Sequence, residues 1–175
     1  MANDKPKIYV ESNAIIDLVK HKVGAGIDKE RESDAWHLQG MIEAAKAGKV
    51  QLLTSSLSIA ECTHVRDKDK LEQAKPFFMG LLASGRGGFT LIQPTLTIME
   101  KARDLRWIHG VALSGVDAVH IASALHLQCT ECWSRDRKLI QSAGTLDTLG
   151  LRVCAPSETR LLPPEYRQGK LRGID

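Results

Sequence analysis

One stretch near the start of the chain is the most informative about the architecture, and it reads Ile8-Tyr9-Val10-Glu11-Ser12-Asn13-Ala14-Ile15-Ile16-Asp17. It begins with apolar β-branched and aromatic residues, a composition typical of a buried strand. Apolar residues then recur at helical spacing, and a side-chain oxygen of Ser12 or Asn13 is suited to cap the predicted helix. The stretch therefore predicts a strand that leads directly into a helix. It places the carboxylate of Glu11 at the carboxyl end of the strand, where open α/β sheets bind ligands.

The rest of the chain continues this alternation of strands and helices. Further strands are predicted over residues 50–54, 89–92, 131–134 and 152–154. The pattern predicts an α/β fold: a three-layer sandwich with a central, mostly parallel sheet of about five strands and helices on both faces. We expect one domain over residues 1–155, followed by an irregular, basic C-terminal tail over residues 156–175.

Three of the connecting segments carry more specific predictions. Residues 21–33 are rich in charge and glycine and are predicted to form a loop that precedes a helix over 35–47. A helix over 71–83 contains Pro76, which is predicted to mark its true start because proline is favoured in the first turn. A helix over 96–109 is predicted to turn five side chains inward, namely Leu96, Met99, Ala102, Leu105 and Trp107.

Composition limits the classes of protein that fit. The chain has 175 residues, 43% of them hydrophobic and 26% charged, as expected for one soluble domain with a core. Its net charge of +3 permits a nucleic-acid partner without requiring one. No apolar run approaches a membrane-spanning length, and the N-terminus lacks a signal-peptide core, so we expect a cytoplasmic protein without a membrane partner. Cys129 and Cys132 have zinc-site spacing but no second pair, so reduced, buried cysteines are the favoured interpretation.

Acidic residues follow the predicted strands or begin the predicted helices. Glu11 ends the first strand, Glu61 lies in the helix after the second, Asp117 begins a buried helix, and Asp136 follows the fourth strand and should cap the next helix. Each alone is explained by solvation or capping. Together at one sheet edge they would repel one another, and Mg²⁺ or Mn²⁺, which prefer oxygen ligands, would relieve that repulsion.

Around these acids the sequence resembles the PIN domain family, and specifically its small VapC-type toxin ribonucleases. The family's pattern is a strand ending in an acid and Ser/Thr-Asn, a Ser/Thr-capped helix with a glutamate, a buried helix with an aspartate, and a strand followed by a small polar residue and an aspartate. The matching blocks are residues 9–17, 54–61, 115–125 and 133–137. They occur in the family's order, and the resemblance covers Lys7 to Ala155.

The resemblance implies a divalent-metal-dependent endoribonuclease that acts as the toxin of a toxin–antitoxin pair. It implies that Glu11, Glu61, Asp117 and Asp136 are the catalytic residues and hold Mg²⁺ or Mn²⁺. We expect the remaining polar residues of the motifs to support this site: Ser12 and Ser134 by positioning water or phosphate, Asn13 by holding the Glu11 carboxylate, and Arg135 and Arg137 by contacting phosphates. Helix capping is an equal alternative for Ser12. The implied partners are RNA, an antitoxin protein and a second copy of the chain.

One departure from the family pattern keeps other functions open. The family has an aspartate where this chain has Glu11, and Mg²⁺ tolerates little geometric error. Glutamate here fits a variant that still binds metal, an engineered weakening of catalysis or a degenerate site. The alternative function is a catalytically impaired PIN-like module that binds RNA or a protein. A phosphatase is disfavoured, because the first strand lacks a following Asp-x-Asp motif and the chain has no P-loop. His120, one turn after Asp117, is interpreted as a core residue in preference to a substrate contact.

Overall fold

The computed structural model describes residues 5–83 and 88–167 and contains one five-stranded sheet. The strands are β1 (Lys7–Val10), β2 (Gln51–Ser55), β3 (Phe89–Ile92), β4 (Glu131–Trp133) and β5 (Arg152–Cys154). They lie in the order β3-β2-β1-β4-β5, and every neighbouring pair is parallel. The predicted α/β class and the five strands are therefore confirmed, and the sheet is wholly parallel.

Helices connect these strands and cover the sheet. They are α1 (Ser12–Lys22), α2 (Lys29–Lys46), α3 (Leu57–Glu61), α4 (Lys68–Leu81), α5 (Leu96–Trp107), α6 (Gly115–His126), α7 (Arg137–Gln141), α8 (Ala143–Thr148) and α9 (Pro164–Arg167), with a 3-10 helix at Pro156–Glu158. Parallel strands need such crossovers, because the chain must return to the end of the sheet where the strands begin before it forms each new strand.

The central strand β1 divides the core into two layers. Successive side chains of a strand point to opposite faces. Ile8 and Val10 accordingly pack in one apolar cluster with residues of α1, α2 and α4, whereas Tyr9 packs in another with residues of α5 and α6. All three side chains are completely buried. A strand covered on both faces explains why the sequence here is continuously apolar.

Several helices differ from their predicted bounds or orientation. α2 begins at Lys29, inside the predicted loop, because Asp28 caps it by accepting a hydrogen bond from the Arg31 N–H at 2.9 Å. α4 begins at Lys68, so the prediction that Pro76 marks its start is wrong. Pro76 lies inside that helix, which packs against the core through Ala74 and Phe78.

Only two of the five side chains predicted to face inward on α5 are buried, namely Ala102 and Leu105. The buried residues of this helix are Ile98, Ala102 and Leu105, which share one helical face. Leu96 and Trp107 are instead 76% and 74% exposed, and Met99 is also exposed. The prediction counted these large apolar side chains as core residues because of their type, although they lie off the buried stripe.

The first part of the predicted tail packs on α2. Residues 156–167 contain the 3-10 helix and α9, and Leu162 is buried in the core cluster that also contains α2 residues. Residues 168–175 lie outside the described part, and the domain boundary at 155 stays a prediction. All four cysteines are buried and free, as the sequence indicated. Within residues 5–83 and 88–167, every helix is too short or too polar to cross a membrane.

A candidate active site lined by carboxylates

The candidate site lies where the strand order reverses. β1 pairs with β2 on one side and with β4, far later in the chain, on the other. In open α/β sheets such a reversal leaves a crevice outside the carboxyl ends of the strands. Glu11 follows β1 at this point, and its backbone N–H donates to the Trp133 carbonyl of β4 at 3.2 Å, which continues the pairing beyond the strands.

Glu11 is buried at the carboxyl end of β1 and caps α1. Its side chain is only 5% exposed, and its Oε2 accepts hydrogen bonds from the Asn13 N–H at 3.3 Å and from the Ser134 hydroxyl at 3.2 Å. The prediction that Ser12 or Asn13 is the N-cap is therefore wrong, because the cap is Glu11 itself. Burial raises the pKa of Glu11, and these two hydrogen bonds act in the opposite direction by stabilising the carboxylate.

Glu61, the last residue of α3, is held by two side chains from other elements. Its Oε2 lies 2.6 Å from the Ser12 hydroxyl and 2.7 Å from His120 Nε2. The Ser12 hydroxyl also lies 2.9 Å from that of Ser58, which lies 2.8 Å from that of Thr54. These three hydroxyls are buried and form a continuous series of hydrogen-bonded groups. The series ends at the Glu61 carboxylate, which is partly exposed.

Asp117 and Asp136 lie near the starts of the two following helices. Asp136 caps α7, as predicted, with its Oδ1 accepting the N–H groups of Lys138 and Leu139 at 2.8 and 3.3 Å. Asp117 stands in the first turn of α6, where its Oδ2 accepts the Ser114 hydroxyl at 2.6 Å. Both side chains are partly exposed.

The four carboxylates share one property. In each of them a single oxygen accepts all the hydrogen bonds, and the other accepts none from any described residue. In the described residues, every side-chain nitrogen or oxygen that is fully buried has a hydrogen-bond partner. The Oε1 atom of Glu11 has no such partner, so it is not fully buried. Each acid is thus fixed through one oxygen while the other is available to a ligand.

These four carboxylates fit a divalent ion that keeps part of its water shell better than an ion that protein ligands surround completely. Among the described residues, no group of three or more histidine, cysteine, aspartate or glutamate side chains is placed to hold one metal ion. Mg²⁺ needs no such group, because it keeps several waters and is commonly bound through one or two carboxylates. The chemistry of the oxygens fits the ion, and its coordination would be completed by water and substrate.

The predicted supporting residues have mixed outcomes. Ser134 lies between two acids: its hydroxyl donates to Glu11 and accepts the Asp136 N–H at 3.0 Å. Asn13 holds Glu11 through its backbone N–H, not through its side chain, which is exposed. Arg135 forms ion pairs with two acids of α2, which hold its guanidinium against the fold. Arg137 is exposed.

Two residues that support the site were not recognised from the sequence. Asp34 is buried and accepts hydrogen bonds from the Arg135 guanidinium through both its oxygens and from the hydroxyl of Ser157 at 2.6 Å. His120 is buried, as predicted, and also contacts Glu61. The signal for Asp34 was a single acid on the apolar side of an amphipathic helix. Its partners are more than a hundred residues away, and periodicity does not identify them.

Comparison with known proteins agrees with this architecture. A model of the PIN domain family matches residues 8–144, so the chain belongs to the PIN domain family. PIN domains are generally nucleases. Among solved structures, a toxin–antitoxin complex from Klebsiella pneumoniae is similar, with 20% sequence identity, a TM-score of 0.50, and 87% of this chain and 99% of that chain covered. At this identity the likeness shows a shared fold. No curated protein sequence matches the chain.

Proposed function

We propose that the protein is a divalent-metal-dependent endoribonuclease and the toxin of a toxin–antitoxin pair. The observation that carries this proposal is the set of four carboxylates, each fixed through one oxygen with the other free of hydrogen bonds from the described residues. Membership of a family of nucleases supports the reaction class. The similarity to a toxin–antitoxin complex supports the biological setting.

In the proposed reaction, Glu11, Glu61, Asp117 and Asp136 hold one or two Mg²⁺ or Mn²⁺ ions. When bound, such an ion favours ionisation of the attacking water and offsets negative charge that develops on the scissile phosphate. Ser134 keeps the carboxylate of Glu11 oriented, and Ser12 does the same for Glu61. The expected products carry a 5′-phosphate and a 3′-hydroxyl.

Basic residues near the crevice are proposed to bind the RNA backbone. Arg137 follows Asp136 directly and is exposed, and Lys138 is exposed beside it. Phosphate contacts of this kind give affinity that is independent of sequence and falls with added salt. Arg135 is left out of this role because it is paired with Asp34 and Glu30.

The test is cleavage of single-stranded RNA under controlled metal conditions. We expect no cleavage in EDTA and restored cleavage with excess Mg²⁺ or Mn²⁺. Glu61→Gln should lose cleavage, whereas Glu100→Gln, which neutralises an exposed acid on α5, should not. Full activity of the wild-type protein in EDTA would refute the metal mechanism.

A catalytically impaired module that binds RNA or a protein is the second candidate. Glu11 at a position where the family has aspartate favours it, as does the lack, among the described residues, of three acids placed around one point. The same assay separates the two candidates. RNA binding without cleavage at any Mg²⁺ or Mn²⁺ concentration would support the impaired module.

Protein partners are proposed from the surface. Leu96, Trp107 and Ile108 are at least 70% exposed, and Met79 of α4 is 73% exposed. An exposed apolar patch is typical of a surface that another protein covers, and we propose that these side chains contribute to such surfaces. We expect an antitoxin protein, a second copy of this chain or both to bind. Light scattering on the purified protein tests for a second copy of this chain. Co-purification with the product of an adjoining reading frame tests for an antitoxin.

A further inference from the structure

A histidine in the middle of the core contacts one of the four acids. His120 is completely buried on α6, among apolar neighbours such as Ile121 and Ala122. Its Nε2 lies 2.7 Å from Glu61 Oε2, and its Nδ1 lies 2.7 Å from the hydroxyl of Tyr9. The ring therefore joins the central strand to the carboxylate at the edge of the sheet.

The chemistry of the carboxylate sets the direction of the hydrogen bond at Nε2. A carboxylate can only accept a hydrogen bond, so Nε2 carries a proton and donates it to Glu61. Burial raises the pKa of Tyr9, so its hydroxyl stays protonated and can pair with Nδ1 either as donor or as acceptor.

Glu61 needs such support because its own helix is short. α3 has five residues, and Glu61 is its last. The Glu61 side chain is one-third exposed and has several rotatable bonds, so without outside contacts it would sample several rotamers. The bonds from Ser12 and His120 both reach Oε2, so together they fix the carboxylate with Oε1 left for a ligand.

The ring is itself fixed by Tyr9. The two rings meet edge to face with centroids 5.9 Å apart, and both residues are 0% exposed. Rotation of the imidazole would break both hydrogen bonds inside the core, where water cannot replace them. The orientation of Nε2 is therefore set by the central strand.

We propose that His120 is a positioning residue that holds Glu61 ready for a divalent ion, with Tyr9 orienting the imidazole. This inference rests on the proposed function, since Glu61 is an ion ligand only if that function is correct. Partners in this outer position around metal ligands commonly change metal affinity or activity by about 10- to 100-fold when they are altered.

The experiment compares variants that keep or lose the hydrogen bond from residue 120 to Glu61, or the one between His120 and Tyr9. The amide nitrogen of glutamine reaches about as far as Nε2, so His120→Gln keeps a donor to Glu61, whereas the shorter side chain of His120→Asn reaches only as far as Nδ1. Tyr9→Phe keeps the ring packing and removes the hydroxyl. Ser123→Ala is the matched control, because Ser123 is also completely buried on α6 and, among the described residues, its hydroxyl bonds only to the Val119 carbonyl, at 2.7 Å.

We expect His120→Asn to weaken Mn²⁺ binding, measured by calorimetry, by about 10- to 100-fold. It should lower kcat for RNA cleavage while KM changes little, because substrate contacts are intact. His120→Gln should recover most of both losses, Tyr9→Phe should fall between them, and Ser123→Ala should bind Mn²⁺ like the wild type. A folded His120→Asn protein with wild-type Mn²⁺ affinity would overturn the proposal.

Two further readouts keep the test decisive. If His120→Asn fails to fold, Tyr9→Phe carries the test, and unchanged Mn²⁺ affinity in that variant overturns the proposal. The shifts in Tm caused by His120→Gln, Glu61→Gln and the double variant, measured in EDTA, report the contact without any metal, and additive shifts also overturn it. If the wild-type protein neither binds Mn²⁺ nor cleaves RNA, the proposed function fails, even where the Tm shifts are non-additive.

Discussion

Removing the Ser134 hydroxyl should disturb two acids at once. Ser134 is 1% exposed, and its Oγ donates to Glu11 at 3.2 Å and accepts the Asp136 N–H at 3.0 Å. A hydrogen bond to a charged group contributes about 1.5–3 kcal/mol to the free energy of unfolding, and a neutral one about 1 kcal/mol. We expect Ser134→Ala to lose about 2.5–4 kcal/mol of these contributions, which lowers Tm by about 5–16 °C for a domain of this size.

The loss should depend on pH in a defined direction. Burial raises the folded-state pKa of Glu11 above its unfolded value, so its contribution to stability is fully present below the unfolded pKa and is lost as pH rises through the folded pKa. The Ser134 hydrogen bond opposes this rise, and its removal raises the pKa of Glu11 further. The deficit of Ser134→Ala should therefore be larger at neutral pH than below about pH 4, where Glu11 is protonated in both states.

Thermal unfolding in EDTA at the two pH values measures this deficit, and calorimetry with Mn²⁺ measures the effect on the site. We expect affinity for Mn²⁺ to fall by about 10- to 100-fold. Ser123→Ala again serves as the control, since within the described part of the chain the buried Ser123 hydroxyl donates its hydrogen bond to a backbone carbonyl and not to an acid. A deficit for Ser134→Ala that equals that of the control and does not change with pH would refute the view that Ser134 supports the charge of Glu11.

Further variants test individual acids. Glu11→Asp should raise cleavage or Mn²⁺ affinity, because Mg²⁺-type sites tolerate little misplacement of a carboxylate; a slower enzyme with weaker metal dependence would show that Glu11 is already a settled ligand. Asp117→Asn and Asp136→Asn should each abolish most cleavage at an unchanged Tm, since asparagine also accepts hydrogen bonds; a Tm well below that of the parent would make the residue structural. Glu11→Gln should flatten the pH dependence of Tm, because it removes the buried group that titrates; an unchanged slope in thermal melts would contradict this assignment. Asp34→Asn should lower Tm by several degrees, because Arg135 loses its buried partner; a wild-type Tm would argue against this ion pair as a support of the fold.

The elements around the site were predictable because their signals are local. The apolar run before Glu11 identifies β1, and the small apolar residues after Asp117 identify the buried helix α6. An acid at the end of a strand or the start of a helix can be placed at one edge of a parallel sheet without knowing any contact. The positions of Glu11, Asp117 and Asp136 relative to their own elements followed from this reasoning.

Two kinds of feature were missed: a helix start within a highly charged segment, and contacts between residues that are far apart in the sequence. The start of α2 was marked by Asp28 and by acids in the first turn, but the charged composition was interpreted as a loop. The contacts of Glu61 with His120 and of Arg135 with Asp34 join residues 59 and 101 positions apart. Periodicity reports which face of an element is buried and contains no information on which distant side chain it meets.

The pairing of β1 with β4 also sets when the proposed site can assemble in a newly made chain. Glu11 and its Ser134 partner are 123 residues apart, so the first strand to leave the ribosome waits for the fourth. At the usual rate of about 5–20 residues per second, that interval is about 6–25 s of translation. During it Glu11 lacks both the neighbouring strand β4 and the Ser134 hydroxyl. The order of the strands alone therefore delays assembly of the proposed site until the fourth strand has been made.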